Sequence, residues 1–227
     1  ERKSMLKAIF DEQIQYTRRK TMKGLLRKDL QLIWASWPIL LMILIGGTAI
    51  SIYVQQPTMD ICFVTLLLVF QTVATVMNDQ TSGWYPWELS LPVSRKNLIY
   101  EKYILAMLVL AFGLILALAI YYGVSAITNI APDRFSLEIN LSILLIFFGC
   151  GVAPAILLSF YKKETGPIAM IVAALLPIAI ILIIMNTVSD ANIKEVFMDI
   201  GAISMLIYFT LMFLSPKIVT NWLDRSL

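Results

Sequence analysis

The sequence predicts an all-α integral membrane protein. It has six transmembrane helices, an N-terminal amphipathic interface helix, a cytosolic helical element between spans two and three, and both termini cytoplasmic. Three observations predict this. Hydrophobic residues make up 59% of the 227-residue chain and charged ones 15%, with a mean hydropathy of +0.80; a soluble domain is about half apolar and a quarter charged. The apolar residues gather into runs of about twenty, the length a helix needs to cross a hydrocarbon core of about 30 Å. Basic residues crowd onto alternate connections between those runs.

Residues 1–31 are expected to form an N-terminal cytosolic extension and interface helix, and 32–227 the six-span domain. No cleavable signal is expected, because the first thirty residues are charged and hold no continuous apolar stretch. In "MKGLLRKDLQLI", Met22, Leu25, Leu26, Leu30 and Ile33 recur at helical spacing, with Lys23, Arg27, Lys28 and Gln31 opposite. That pattern suits a helix lying along the inner membrane surface; the plainer alternative is a cytosolic start to the first span. Upstream, Leu6, Ile9, Phe10 and Ile14 form another stripe, beside the basic run Arg18–Lys20.

The six runs are Leu32–Val54, Met59–Met77, Tyr103–Ile127, Leu141–Phe160, Pro167–Val188 and Gly201–Pro216. Lipid offers no hydrogen bonds to a backbone, so each run should be a helix. Pro154 and Pro177 are expected to kink the fourth and fifth. Cys62 and Cys150 lie inside apolar runs and read as small buried hydrophobes. "GCGVAP" at Gly149–Pro154 reads as a place of close helix packing.

With the N-terminus cytoplasmic, nine Lys/Arg before residue 32 fall inside, as do Arg95, Lys96, Lys102, Lys162, Lys163, Lys217 and Arg225. Only Arg134 and Lys194 fall outside. Both termini then lie inside, which an even number of spans requires.

The interiors of the spans are read as free of charge, and the chain has no histidine. Ion-coupled transport, which usually buries an ionisable residue in a span, is therefore excluded, along with zinc-dependent proteolysis and Ser–His chemistry. A phosphate-binding Gly-x-x-x-x-Gly-Lys-Ser/Thr loop is absent too. No catalytic residue, metal site or cofactor is expected on this chain, nor a nucleic-acid partner. Gln71, Thr72, Thr75, Ser159, Asn186 and Thr187 are the polar residues that enter the spans. Hydrogen bonding between helices is their default use; Gln71, Thr72 and Thr75 are also candidates to line a substrate path.

The longest polar interior stretch is "SGWYPWELSLPVSRKNLIYEKY", Ser82–Tyr103. Trp84, Trp87 and Leu91 share one face of a short helix at the headgroup level, where indole rings settle. Pro92 ends it, and Ser94 is placed to cap a second helix that begins at Arg95 and continues through Tyr103 into span three. Glu88, Ser90, Arg95 and Lys96 would face something soluble. An ordinary solvated loop is the alternative on spacing alone.

"MKGLLRKDL" at Met22–Leu30 and "LSLPVSRKNLIYEKYILA" at Leu89–Ala106 resemble the membrane subunits of ABC-2-type exporters. The small-permease branch that exports phenol-soluble modulins is the most similar; bacteriocin and bacitracin resistance permeases are close rivals. Residues 1–21 precede the usual start of that branch. The resemblance implies a permease in a bacterial plasma membrane, carrying amphipathic peptides and powered by two copies of a separate ATPase that binds ATP and Mg. It implies a coupling helix over residues 84–98, with Trp84, Trp87, Glu88, Ser90, Pro92, Ser94, Arg95 and Lys96 meeting the ATPase. Lys162 and Lys163 would make a second contact. A second copy, or a paralogue, would complete the path. A membrane immunity or scaffold protein and a passive facilitator are the alternatives.

Overall fold

A computed structural model describes residues 24–55, 59–82, 94–128, 134–160, 165–189 and 192–225. Those residues are almost wholly helical. Helix α1 covers 24–35. It is followed by α2 (Trp37–Val54), α3 (Met59–Thr81), α4 (Arg95–Thr128) and α5 (Arg134–Ile146). A π-helical turn at Phe147–Val152 leads into α6 (Ala153–Ser159), and α7 (Gly166–Thr187) and α8 (Ile193–Arg225) complete the order.

Among the described residues, five helical stretches are long and apolar enough to cross a membrane: Trp37–Val54, Lys96–Thr128, Ser136–Ser159, Gly166–Thr187 and Ile193–Asn221. The remaining expected span is α3, whose apolar stretch Phe63–Asp79 is shorter. Several helices outrun the runs drawn from hydropathy. Helix α4 starts eight residues before Tyr103 and α8 starts before Gly201 and ends beyond Pro216, because a helix continues through polar residues wherever its backbone ladder and a packed face allow.

Local breaks have local causes. Between α1 and α2, Pro38 falls in the first turn of α2, so the ladder is interrupted at Ser36. The Ser36 hydroxyl donates to Ile33 O at 2.8 Å, and Trp34 stacks on Trp37 with centroids 5.5 Å apart. Gln55 closes α2 in the left-handed conformation, at φ 58°. The expected disturbance at Pro154 takes the form of the π turn before it, whose six residues are all buried. Pro177 is buried within a helix that runs on to Thr187.

The core is centred on that π turn. Phe148, Val152 and Ile156 pack with Val73 and Val76 of α3, Ala169 and Ala173 of α7, and Tyr208 of α8. Gly149 and Gly151 allow this approach. A Cβ at Gly149 would stand 1.9 Å from Ser204 O, and one at Gly151 2.5 Å from Ala173 O, so "GCGVAP" is a packing seam. A second cluster joins Ile33, Leu40, Val64, Leu105 and Val109 across α1 to α4. Helices α2 and α7 leave broad apolar faces uncovered, Ile45 and Leu182 among them, as suits contact with hydrocarbon or another subunit.

Two expectations are corrected. Asp60 lies inside the second run, in the first turn of α3, and is buried. Ser51 of α2 hydrogen-bonds its carboxylate, and a helix N-terminus favours negative charge. The neutral polar residues mostly bond within their own helices rather than between helices. Thr75 donates to Thr72 O, Ser159 to Ala155 O, Asn186 to Leu182 O and Thr187 to Ile183 O, because a carbonyl one turn back is the nearest acceptor.

Candidate functional site

Of the residues read as meeting a soluble partner, Trp84, Trp87, Glu88, Ser90 and Pro92 lie outside the described residues, as do Lys162 and Lys163. The helix that follows them is described. The Asn97 N–H donates to Ser94 Oγ at 3.3 Å and to Ser94 O at 2.8 Å, which caps α4 at its first residue, Arg95. Lys96 is exposed. Two turns further on, α4 enters the most densely charged buried region of the described chain.

There, four side chains from three helices form a closed ring of alternating charge. Lys102 Nζ of α4 lies 2.6 Å from Asp79 Oδ2 of α3 and bonds Asp29 Oδ2 of α1. Lys28 Nζ of α1 closes the ring, 2.7 Å from Asp79 Oδ1 and 3.2 Å from Asp29 Oδ1. The chemistry of the ends permits it: an ammonium carries three donors and a carboxylate about four acceptor positions, so each group serves two partners. Asp29, Asp79 and Lys102 are buried, whereas Lys28 keeps a partly exposed edge. Glu101 is buried alongside, 3.9 Å from Lys102 Nζ.

Burying ions costs several kcal/mol each unless partners replace the lost water, and deleting one partner of such a set costs about 3–5 kcal/mol. A ring in which every member has two oppositely charged neighbours goes far toward meeting that requirement, and it ties α1, α3 and α4 together. Asp29 Oδ1 has Lys28 only as an ion-pair neighbour and no hydrogen bond.

Hydropathy and motif reading missed Asp29, Asp79 and Glu101 and counted Lys102 only as an orienting charge. A signal was available. Leu25, Asp29 and Ile33 are spaced by four, so the buried stripe of α1 passes through the carboxylate and leaves Leu30 exposed. In α4, Glu101 and Lys102 lie between the buried Ile99 and Tyr103.

The next residue faces the other way. The Tyr103 hydroxyl lies 3.0 Å from Ala153 O and 2.7 Å from Ser215 Oγ, and the Tyr208 hydroxyl donates to Tyr103 O. Tyr208 also stacks on Phe148, with centroids 4.3 Å apart. Residues 102 and 103 thus hold α4 to α1 and α3 on one side and to α6 and α8 on the other.

The candidate path residues divide. Gln71 and Thr75, one helical turn apart, line an open cleft of about 190 Å³ with Ser36 and Asn78. Thr72 is buried away from it. A second cleft, about 350 Å³ and almost wholly apolar, lies between the α1–α2 junction and α4, against Trp34, Trp37, Leu108 and Phe112. A family model described as ABC-2 family transporter protein matches residues 24–220. No curated protein and no solved structure matches the chain.

Proposed function

Since the chain belongs to the ABC-2 transporter family, we propose that it is the membrane-spanning permease subunit of an ATP-driven exporter, with a separate ATPase subunit binding ATP and Mg and hydrolysing the nucleotide. The observation that carries this reading is α4. It is capped by Ser94 at its start and runs unbroken for 34 residues, roughly 50 Å at 1.5 Å per residue. A push on its first turn is delivered to the far side of the bilayer, since a packed helix moves as a rod.

On this reading, residues 84–98 form the coupling element. Trp84 and Trp87 anchor it at the headgroups, while Glu88, Ser90, Pro92, Ser94, Arg95 and Lys96 engage the ATPase. Lys162 and Lys163 add a smaller contact. Two ATPases serve two permease copies, and the path runs between the copies; the uncovered apolar faces of α2 and α7 favour a second subunit. The termini and the coupling element face the cytoplasm of a bacterial cell, and α1 lies along the inner surface. The cargo is an amphipathic peptide of the phenol-soluble modulin or antimicrobial type. Leu- and Ile-rich spans with few polar side chains, Gln71 and Thr75 among them, suit such a cargo.

Co-purification with a tagged ABC ATPase tests the reading. The pair should hydrolyse ATP faster when an amphipathic peptide is added, and Arg95→Glu should abolish association. Peptide retention without any ATPase partner would instead mark a sequestering protein, and conductance without nucleotide a passive facilitator.

A further inference from the structure

We propose that the Lys28–Asp79–Lys102–Asp29 ring is a switching joint, through which movement of the segment before α4 is passed to α1 and α3 by exchange of ion-pair partners. The proposal rests on the reading of this chain as an ATPase-driven permease and adds the residues that relay the force.

Position is the first argument. Asp79 lies two residues before the end of α3 and Lys102 seven residues after the start of α4. The 83–93 stretch that joins those helices is therefore flanked on both sides by members of one ring. A displacement of that stretch that draws α4 away from α3 loads the contact from Lys102 Nζ to Asp79 Oδ2, now 2.6 Å.

Redundancy is the second argument. Each ammonium touches two carboxylates and each carboxylate two ammoniums. Breaking one contact leaves every ion with a partner, so the full penalty of an uncompensated buried charge never arises along the way. A simple pair has no such intermediate. Two discrete arrangements of comparable energy are what a packed structure needs to convert a small push into a defined shift.

Selectivity is the third. On the opposite side of α4, Tyr103 is held to Ala153 O and Ser215 Oγ and Tyr208 to Tyr103 O. Those bonds are neutral and buried, and the Ser215 hydroxyl is itself tied to Leu211 O. Movement of α4 is therefore expected to carry α6 and α8 with it and to slide against α1 and α3 at the ring.

The test uses the permease with its ATPase in liposomes, with Cys62 and Cys150 replaced by alanine and Gln71→Cys as a reporter on the α3 cleft. Labelling of that thiol by a membrane-impermeant maleimide is timed with and without a non-hydrolysable ATP analogue. With the ring intact, the analogue should change the rate about fivefold or more, the usual lower range of coupling between sites. The fourfold apolar variant Lys28→Met, Asp29→Leu, Asp79→Leu, Lys102→Met is made together with Glu101→Gln, so that the buried carboxylate 3.9 Å from Lys102 is not left charged. That protein should fold, because a whole buried ion set can be exchanged for uncharged groups without loss of stability. It should still hydrolyse ATP with its partner but show no nucleotide-dependent change in labelling. A response in the fourfold variant equal to that of the intact ring overturns the relay while leaving the permease reading standing. If the fourfold variant does not fold, Asp79→Asn decides. It keeps the shape and one acceptor oxygen, and a folded protein with an unchanged response overturns the relay, whereas a lost response supports it. Absence of any response in the intact complex overturns the permease reading and this proposal together.

Discussion

Lys102 and Asp79, 23 residues apart in sequence and on different helices, are held 2.6 Å apart in a buried setting. Removing only the cation leaves Asp29 and Asp79 facing each other with Lys28 as their remaining neutraliser, and deprives buried Glu101 of the cation 3.9 Å from it. Lys102→Met is expected to destabilise the protein by about 3–5 kcal/mol, and Lys102→Met with Asp79→Leu to recover most of that loss. Denaturation of the detergent-solubilised protein, run as a double-mutant cycle, measures the coupling.

The hydroxyl of Tyr208 and its ring do separate things. Tyr208→Phe removes the bond to Tyr103 O but retains the stack on Phe148, so a loss of about 0.5–1.5 kcal/mol is expected. Tyr208→Ala also empties the core beside the π turn and should lose about 3–5 kcal/mol. The ratio of the two losses, read from the same unfolding assay, is the check.

Two glycine substitutions should part company. Gly149→Ala places a methyl against the α8 backbone at Ser204, and relieving that clash should cost about 1–3 kcal/mol or more. Gly46→Ala meets nothing within 4 Å inside α2 and should stabilise by roughly 0.8–1 kcal/mol through helix propensity alone. Comparing the two melting temperatures against the parent tests both signs.

Ser94→Ala removes the acceptor for the Asn97 N–H and should cost about 1 kcal/mol, whereas Ser94→Asp should retain the cap. If α4 is the lever of transport, fraying of its first turn should also lower peptide-stimulated ATP hydrolysis by the complex. Circular dichroism and ATPase assays on both variants separate the local from the mechanical effect.

Asp60 buries a carboxylate at the start of α3 with Ser51 as a hydrogen-bonding partner. Asp60→Asn keeps the shape and an acceptor while removing the charge, so stability should be unchanged or higher. A loss of transport in a fully stable Asp60→Asn protein would give this carboxylate a role in cargo passage.

Much of the helical layout was legible because hydropathy reports directly on what lipid demands. The Ser94 cap and the Gly149–Gly151 seam were legible because each rests on a chemistry specific to its residue type. The ring was not. A pattern that counts only apolar positions assigns Asp29 to the solvent face by its charge, although its spacing from Leu25 and Ile33 puts it on the buried one. Gln71, Thr72 and Thr75 looked like one patch, but adjacent residues diverge by about 100° around a helix, so Thr72 turns away from Gln71 and is not among the residues lining the cleft. Part of the stretch with the clearest family resemblance, 89–93, lies outside the described residues.

The π turn at Phe147–Val152 amounts to one residue more than a regular ladder would hold. Deleting one residue there would let the segment relax to ordinary α geometry while the helix on either side keeps its facing, because the wide turn has already absorbed the extra residue. Ala155, Ile156 and Ser159 would go on facing inward, and only the side chains of the turn itself would be exchanged against Ala173 and Tyr208. A lineage or an engineer could in this way re-dress the centre of the bundle by a one-codon loss, with no substitution at any contact.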